Sequence, residues 1–330
     1  MNAPERFALP VDDADLERLE ETLRRVVIQD DPFLDEIATH LISAGGKRLR
    51  PALAIAAARL RGEAGEDTLL GGVAVELVHL ASLYHDDVMD EAVRRRNVVS
   101  VNARWGNLLA VVVGDFLLAR SAEIAASLGT EVAGLLATTL ARLCAGQVAE
   151  VRAAYRLDRS EAEYLQAISD KTGALMGTAC RIGGITAGLR PDQLHALTTF
   201  GECLGMVFQI RDDVFDVVAT EGELGKPPGQ DLAEGVYTLP VQRALRDPAV
   251  GAELRELLGT PLSADELGTA RALVAASVGI SAAAAVARRY ADEACDAIRL
   301  LGSGPVPEGL EQLTLGLLED LERSTRALAS

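Results

Sequence analysis

The sequence predicts an all-α protein, one large helical bundle formed as a single domain over residues 1–330. Three observations carry that reading. No proline stands between Pro51 and Pro191, although the stretch mixes helix formers with glycine. Proline breaks helix interiors, so this region reads as successive helices joined by short glycine-containing turns. Apolar residues recur in it at helical spacing, at Val75, Val78 and Leu83 and again at Leu135, Leu136, Leu140 and Leu143. No segment sustains the strict alternation of a strand, and a composition led by Ala, Leu and Val with 4% aromatic residues suits helices better than sheets. Roughly ten or more helices are expected, with no Pro/Gly/Ser-rich linker to divide them.

Charge and cysteine narrow the class. Lys and Arg number 32 against 49 Asp and Glu, a net charge of −17. That balance argues against nucleic acid as a partner, because such proteins carry a basic face. Cys144, Cys180, Cys203 and Cys295 form no CxxC pair, and their spacing fits neither a zinc site nor a disulfide framework. They are expected as reduced thiols of a cytoplasmic protein. The opening MNAPERFALP has no signal-peptide pattern, and RALAS carries no lipidation motif. The longest weakly polar stretch, ALVAASVGISAAAAVA, is shorter than the roughly 20 apolar residues a membrane span needs.

Two acidic clusters stand out, HDDVMD near residue 85 and RDDVFD near residue 211. Each falls on an expected helix, after an apolar run (VELVHLASLY and GECLGMVFQI). Carboxylates in such surroundings are costly unless something positive pairs with them. At i, i+4 spacing Asp86 and Asp90 share one helix face, and so do Asp212 and Asp216. Asp87 and Asp213 point roughly 100° away and are weaker candidates for direct ligands. An all-Asp oxygen set favours a hard cation, Mg²⁺ or Mn²⁺. Mg²⁺ is usually held by one or two carboxylates plus substrate phosphates.

The cations point the same way. Only three lysines occur: Lys47 in AGGKRLRP, Lys171 in SDKTGAL and Lys226 in LGKPPGQD, each beside glycine or threonine. Lysine is a compact point charge suited to phosphate, and Arg is not equivalent to it. Arg94, Arg95 and Arg96 follow the first cluster at a distance of one to two turns and would clamp a second phosphate bidentately. No P-loop or dinucleotide fingerprint is present. The implied substrate is therefore an apolar molecule with a diphosphate head, not a nucleotide.

From about Gly45 to Pro240 the chain resembles the all-trans polyprenyl diphosphate synthases, isoprenyl transferases of long-chain type. GGKRLRP, HDDVMD with RRR, GDFLLAR, KT, FQIRDDVFD and GKPPGQD stand in that family's order. The resemblance implies an isoprenoid-synthase bundle around a central active-site cavity. It implies that Asp86, Asp90 and Asp212 bind three Mg²⁺ ions, with Asp87, Asp213 and Asp216 supporting. Arg95, Lys171 and Lys226 would hold the allylic diphosphate, and Lys47, Arg50, His79 and Arg96 isopentenyl diphosphate. Thr172 and Gln209 would turn oxygens toward the developing carbocation. His79 lies two turns before Asp86 on about the same face, which independently supports a role. His85 is given no role, His40 and His195 are expected to be structural or exposed, and Trp105 is read as packing.

In the resembled family the residue five before the first aspartate is a common tunnel floor. Here it is Ala81, about 7.5 Å back along the helix. Val78, Leu77 and Ala74 follow, none aromatic, so a long product of about C40 to C50 for a quinone side chain is expected, unless Tyr84 narrows the tunnel. Two residues depart from the family pattern: Val236 stands where many members carry Lys, and Asn97 where Gly usually follows the paired Arg. A homodimer is expected, with transient membrane contact for product release. The rival readings are a farnesyl or geranylgeranyl synthase, a non-catalytic subunit of a heteromeric synthase, and a terpene cyclase. The two intact clusters and the low aromatic content speak against the last two.

Overall fold

The proline-free region does form helices with glycine at the turns. The computed structural model describes residues 9–220, 222 and 227–328. In chain order the helices are α1 Asp13–Val27, α2 Pro32–Ala38, α3 His40–Ser43, α4 Leu49–Ala58, α5 Glu66–Met89, α6 Val101–Trp105, α7 Asn107–Ser127, α8 Thr130–Ala153, α9 Glu161–Ile168, α10 Ala174–Thr186 and α11 Pro191–Val218. They continue as α12 Gln230–Ala233, α13 Leu239–Ala244, α14 Gly251–Leu257, α15 Ala264–Ala276, α16 Gly279–Arg299 and α17 Pro305–Leu328. Local chemistry sets the ends. Asp12 caps α1 through the Asp15 N–H at 2.9 Å, and Pro32 opens α2 behind the Asp31 cap. Ser160 with Glu163 and Ser263 with Glu266 form reciprocal capping boxes on α9 and α15. Gly106 (φ 91°) separates α6 from α7, and Gly129 (φ 111°) separates α7 from α8.

The described residues fall into two compact units. One is drawn from Met1–Leu140, Thr178–Thr198 and Leu301–Gly309, the other from Ala141–Gly177, Thr199–Leu300 and Leu310–Ser330. In the first, α4 is buried almost throughout, and α5 buries Val73, Ala74, Val75, Leu77, Val78, Leu80, Ala81 and Tyr84. Each fully buried large aliphatic side chain contributes roughly 1.5–3 kcal/mol. Glycine lets backbones approach. A Cβ on Gly183 of α10 would sit 2.0 Å from the Ala54 carbonyl oxygen of α4.

In the second unit α11 buries Phe200, Leu204, Val207, Ile210 and Val214 in a helical stripe. The small seam Ala283, Ala287, Ala291 and Ala294 of α16 is likewise buried. Between α9 and α10 the chain makes a π-turn, Ser169–Gly173. A Cβ on Gly205 would lie 2.6 Å from Gly173 Cα, so α11 meets this turn backbone to backbone.

Two expectations need correction. The Arg94–Arg96 run does not continue the first-cluster helix. α5 stops at Met89, and Arg94–Arg95 pairs antiparallel with Val98–Val99 in a short hairpin. Arg96 and Asn97 turn its corner at φ 50° and 64°. Asn tolerates this left-handed region better than most residues, which accounts for Asn where glycine would serve. The expectation drawn from ALVAASVGISAAAAVA, that no segment reaches the length of a membrane span, also changes. The two helices of that stretch bend by 61° at the break between Ala276 and Gly279, while Glu66–Met89 and Thr130–Ala153 are each long and apolar enough, by length and composition alone, to cross a membrane. Most of the first of these windows is buried inside the protein, and most of the second is not.

Candidate active site

The first acidic cluster closes α5. Asp86 is half-buried, Asp87 fully buried and Asp90 exposed at the C-cap, its N–H still donating to the Asp86 carbonyl at 2.8 Å. Arg95 returns along the hairpin, and its Nε donates to Asp87 Oδ1 at 2.6 Å. Burial pushes the Asp87 carboxyl up and Arg95 opposes it. Among the described residues Asp87 Oδ2 is buried with no hydrogen-bond partner. His85 meets α7, its Nε2 lying 3.2 Å from the Val111 carbonyl oxygen and 3.6 Å from Asp115 Oδ1. Its ring lies where a Cβ on Gly114 would stand, 2.2 Å from Nε2, which gives the glycine of GDFLLAR a packing reason.

The basic groups of the same unit gather around the glycine loop before α4. Arg48, at φ 46° and 5% exposed, donates to Glu76 Oε1 at 2.9 Å, to Glu20 Oε1 at 2.5 Å and to the Ile42 carbonyl at 3.0 Å. This buried fork fixes the turn from which Lys47 and Arg50 project. Arg96 donates to the Gly45 and Leu41 carbonyls. A Cβ on Gly46 would lie 2.9 Å from Arg96 Nη1 and 3.1 Å from Arg48 Nη1. Burial first, then the guanidinium groups of Arg50, Arg96, Arg48 and Arg95, hold the His79 imidazole well below its usual range. Glu76 and Arg48 were not singled out from the sequence. The signal was there, one carboxylate inside the apolar run VAVELVHL.

A pH prediction follows. His79 is neutral in the folded chain, whereas an unfolded chain takes up a proton there near pH 6.5. The unfolded state therefore binds more protons below that pH, and stability falls as pH drops from about 6.5 toward the folded value. Denaturant midpoints measured from pH 8 to 5.5 are expected to fall across this window, and by less in His79→Gln. Identical slopes in the two proteins would remove His79 as the cause.

The second cluster lies in the last two turns of α11. Asp212 is 45% exposed and sits 3.3 Å from Arg211 Nη1. Asp213 is buried, with Tyr164 O–H donating to Oδ2 and Gln209 Nε2 to Oδ1 at 2.8 Å. Burial pushes its carboxyl up to about 7, against those two hydrogen bonds. Thr172 O–H donates to Gln209 Oε1 at 2.9 Å, so Thr172, Gln209 and Asp213 form one chain. Asp216 is buried, and its Oδ2 accepts the Asp231 N–H at 3.1 Å.

The π-turn carries Lys171 and Thr172. Arg142 of α8 fixes it, donating to Asp170 Oδ1 at 2.8 Å and Glu202 Oε1 at 2.5 Å. Gly146 leaves room, since a Cβ there would be 3.0 Å from the Lys171 nitrogen. Lys171 Nζ pairs with Glu150 Oε1 at 2.6 Å. π-Turns inside helical runs commonly mark functional positions. Tyr164, Glu150 and Arg142 escaped the sequence reading because their partners lie far along the chain. Lys226 falls outside the described residues. Of the remaining candidates, Ala81, Val78 and Leu77 are fully or nearly fully buried on α5, and Tyr84 is anchored by its O–H to the Ile37 carbonyl at 2.7 Å. Trp105 does pack, edge-on to His40 at 5.0 Å and under Arg104.

The residues fit a divalent metal brought with phosphate. Among the described residues no three His, Cys, Asp or Glu side chains form a ready-made metal cage. Mg²⁺ seldom uses one, relying on few carboxylates plus substrate oxygens. The first cluster stands at a helix C-terminus with no basic residue in its last turn. The helix dipole makes that end negative and disfavours carboxylates there by roughly 0.3–1 kcal/mol each. A cation reverses that sign, and the unpartnered Asp87 Oδ2 faces the same need.

Comparison with known proteins agrees with this geometry. Residues 31–298 match the family described as Polyprenyl synthetase. The chain is 40% identical over 304 residues to the nonaprenyl diphosphate synthase of Mycobacterium tuberculosis, spanning 91% of this chain and 90% of that one. It is 39% identical over 308 residues to heptaprenyl diphosphate synthase component 2 of Geobacillus stearothermophilus, 93% of each chain. A crystal structure of geranylgeranyl pyrophosphate synthase from Corynebacterium glutamicum, complexed with calcium and isoprenyl diphosphate, matches with a TM-score of 0.83 at 37% identity, over 94% of this chain and 96% of that one. The fold is the all-helical fold of isoprenoid synthases, the class to which metal-dependent prenyl transfer belongs. The chain belongs to the polyprenyl synthetase family and is a trans-prenyltransferase of isoprenoid biosynthesis.

Proposed function

We propose that this enzyme condenses isopentenyl diphosphate head to tail onto an allylic diphosphate and repeats the step to a long all-trans product of about C40–C50, within the range of its long-chain relatives. One observation carries the diphosphate reading: the guanidinium groups of Arg50, Arg96, Arg48 and Arg95 all act on the His79 imidazole, and those of Arg96 and Arg48 close on Gly46, with Arg48 already held by Glu20 and Glu76 and Arg95 by Asp87. A diphosphate brings further negative charge to this cluster, and guanidinium forks bind phosphate oxygens in pairs of hydrogen bonds. In this reading Lys47, Arg50, His79 and Arg96 hold isopentenyl diphosphate, and Arg95, Lys171 and Lys226 the allylic one.

Asp86, Asp90 and Asp212 are the proposed ligands of Mg²⁺, three ions in all, with Asp87, Asp213 and Asp216 supporting. Bound Mg²⁺ supplies positive charge to the departing diphosphate. Fixed lysine and arginine charges stabilise the same leaving group as the allylic C–O bond ionises. The Thr172 and Gln209 oxygens stabilise the allylic cation, which the isopentenyl double bond attacks. Loss of a proton, taken up by the released diphosphate, completes the new double bond. The apolar wall keeps water from quenching the cation.

The length of the product rests on Ala81. Ala81 is small and buried and stands where the resembled family floors its tunnel, and the likeness to nonaprenyl diphosphate synthase supports a long chain. Ala81→Phe is expected to shorten the product to about C20, because the added ring fills the space. An unchanged product on chromatography removes α5 as the ruler. A homodimer of the chain is part of the reading, supported by exposed Leu108, Val111 and Val112 on α7. Transient contact with a membrane for product release follows from the product's own apolarity.

The experiment supplies purified protein with Mg²⁺, isopentenyl diphosphate and, separately, geranyl, farnesyl and geranylgeranyl diphosphate, and sizes the products by mass spectrometry. Products of about C40–C50 support the proposal. Products of C15 or C20 favour the short-chain reading suggested by the geranylgeranyl pyrophosphate synthase likeness. No elongation from any starter favours a chain that needs a second subunit, as the likeness to a synthase component suggests.

A further inference from the structure

We propose that Arg271, on α15, is a positioning residue for the second acidic cluster, fixing the Asp216 end of α11 and so setting how tightly that cluster takes divalent metal with diphosphate. The inference rests on the proposed assignment of the cluster to metal. The last four carbonyls of any helix lack intrahelical partners, and α11 has no basic residue in its last turn. Arg271 supplies what is missing from another helix. Its Nη2 donates to the Val217 carbonyl at 2.9 Å and to the Ala219 carbonyl at 3.1 Å, and its Nε to Val217 at 3.1 Å.

The stem of the same side chain holds the segment that follows. Gly229, at φ 85°, lies against it, and a Cβ there would stand 2.5 Å from Arg271 Cδ. Gly229 N–H in turn donates to the Asp216 carbonyl at 2.8 Å, and Asp231 N–H to Asp216 Oδ2 at 3.1 Å. Guanidinium, helix end, glycine and aspartate therefore close one ring of contacts, and displacing the arginine displaces the carboxylate. Lysine cannot reproduce the fork, because one ammonium has no planar pair of donors for two neighbouring carbonyls. This gives the last glycine of GKPPGQD a partner in a part of the chain that carries none of the motifs.

Arg271→Met keeps an apolar stem on Gly229 and removes the fork, and Arg271→Lys keeps the charge. Calorimetry of inorganic diphosphate binding at a series of Mg²⁺ concentrations is run beside steady-state rates and thermal melting. Groups that orient metal-binding carboxylates typically change metal affinity 10–100-fold when removed. The Met variant is expected to need about ten times more Mg²⁺ for half-maximal diphosphate binding, with the KM for isopentenyl diphosphate unchanged and the Lys variant between. An unchanged Mg²⁺ requirement, with lowered melting alone, overturns the inference. If the Met variant does not fold, Gly229→Ala, which pushes the stem aside, is expected to raise the Mg²⁺ requirement, and an unchanged requirement is equally fatal. Wild-type binding of diphosphate that ignores Mg²⁺ overturns the metal assignment itself, before any variant is compared.

Discussion

Replacing Asp212 by alanine is expected to lower turnover at least ~10²-fold, the usual cost of losing one preorganised stabilising group, while the unfolding curve stays close to wild type. The three acids of the second cluster are not equivalent. Asp213 is bound by Tyr164 and Gln209, and Asp216 by the Asp231 N–H. Asp212 is the half-exposed one, with a contact to neighbouring Arg211. Removing it leaves Arg211 its partner Asp320 at 3.2 Å and its stacking on Phe215 at 4.2 Å. Because both Arg211 contacts remain, an unfolding curve close to wild type shows that lost activity reports chemistry and not folding. Asp213→Ala supplies the contrast. It strands the buried Tyr164 hydroxyl, at a cost of roughly 1–3 kcal/mol. Steady-state rates and denaturant titrations of both variants separate the effects. An Asp212→Ala protein with wild-type turnover would exclude that carboxylate from metal binding.

Gly183→Ala is expected to destabilise the protein by about 3 kcal/mol or more, at the upper end of the range for overpacking a close-packed interior. The added methyl carbon meets the Ala54 carbonyl oxygen at 2.0 Å and its carbonyl carbon at 2.7 Å. Both are backbone atoms of α4, which is buried and cannot swing aside as a side chain would. Helix propensity alone argues the opposite, since Ala is better than Gly by about 1 kcal/mol in a helix interior. A midpoint of urea unfolding that stays level or rises therefore decides against the close approach of α4 and α10.

The acidic clusters were legible because i, i+4 spacing is a local property, and carboxylates inside apolar runs are rare enough to notice. The hairpin at Arg94–Val99 was not, because its cause is a pairing between Arg95 and Asp87 and a turn that Arg96 and Asn97 make at positive φ. Glu76 was visible as an odd carboxylate, but its partner Arg48 sits 28 residues away and no local rule joins them. Tyr164 and Asp213 are 49 residues apart, and Arg142 and Glu202 are 60 apart. The π-turn under Lys171 and Thr172 had no sequence period of its own, because it depends on Arg142 and on glycines that let α8 and α11 approach.

By itself the sequence determined the helical class, the oxygen-rich clusters, the three lysines and the order of motifs that places the chain in its family. All of these are set by composition and by neighbours within a few turns. Tertiary structure decided which of those residues are committed to the protein's own bonds. It buried Asp87 and Asp213 against Arg95 and Tyr164, left Asp212 half-exposed, and by burial and then by surrounding arginines held the His79 imidazole well below its usual range. The physical reason is that desolvation and pairing are long-range in sequence. A carboxylate's cost and a histidine's charge depend on which distant groups the packing brings within a few ångströms.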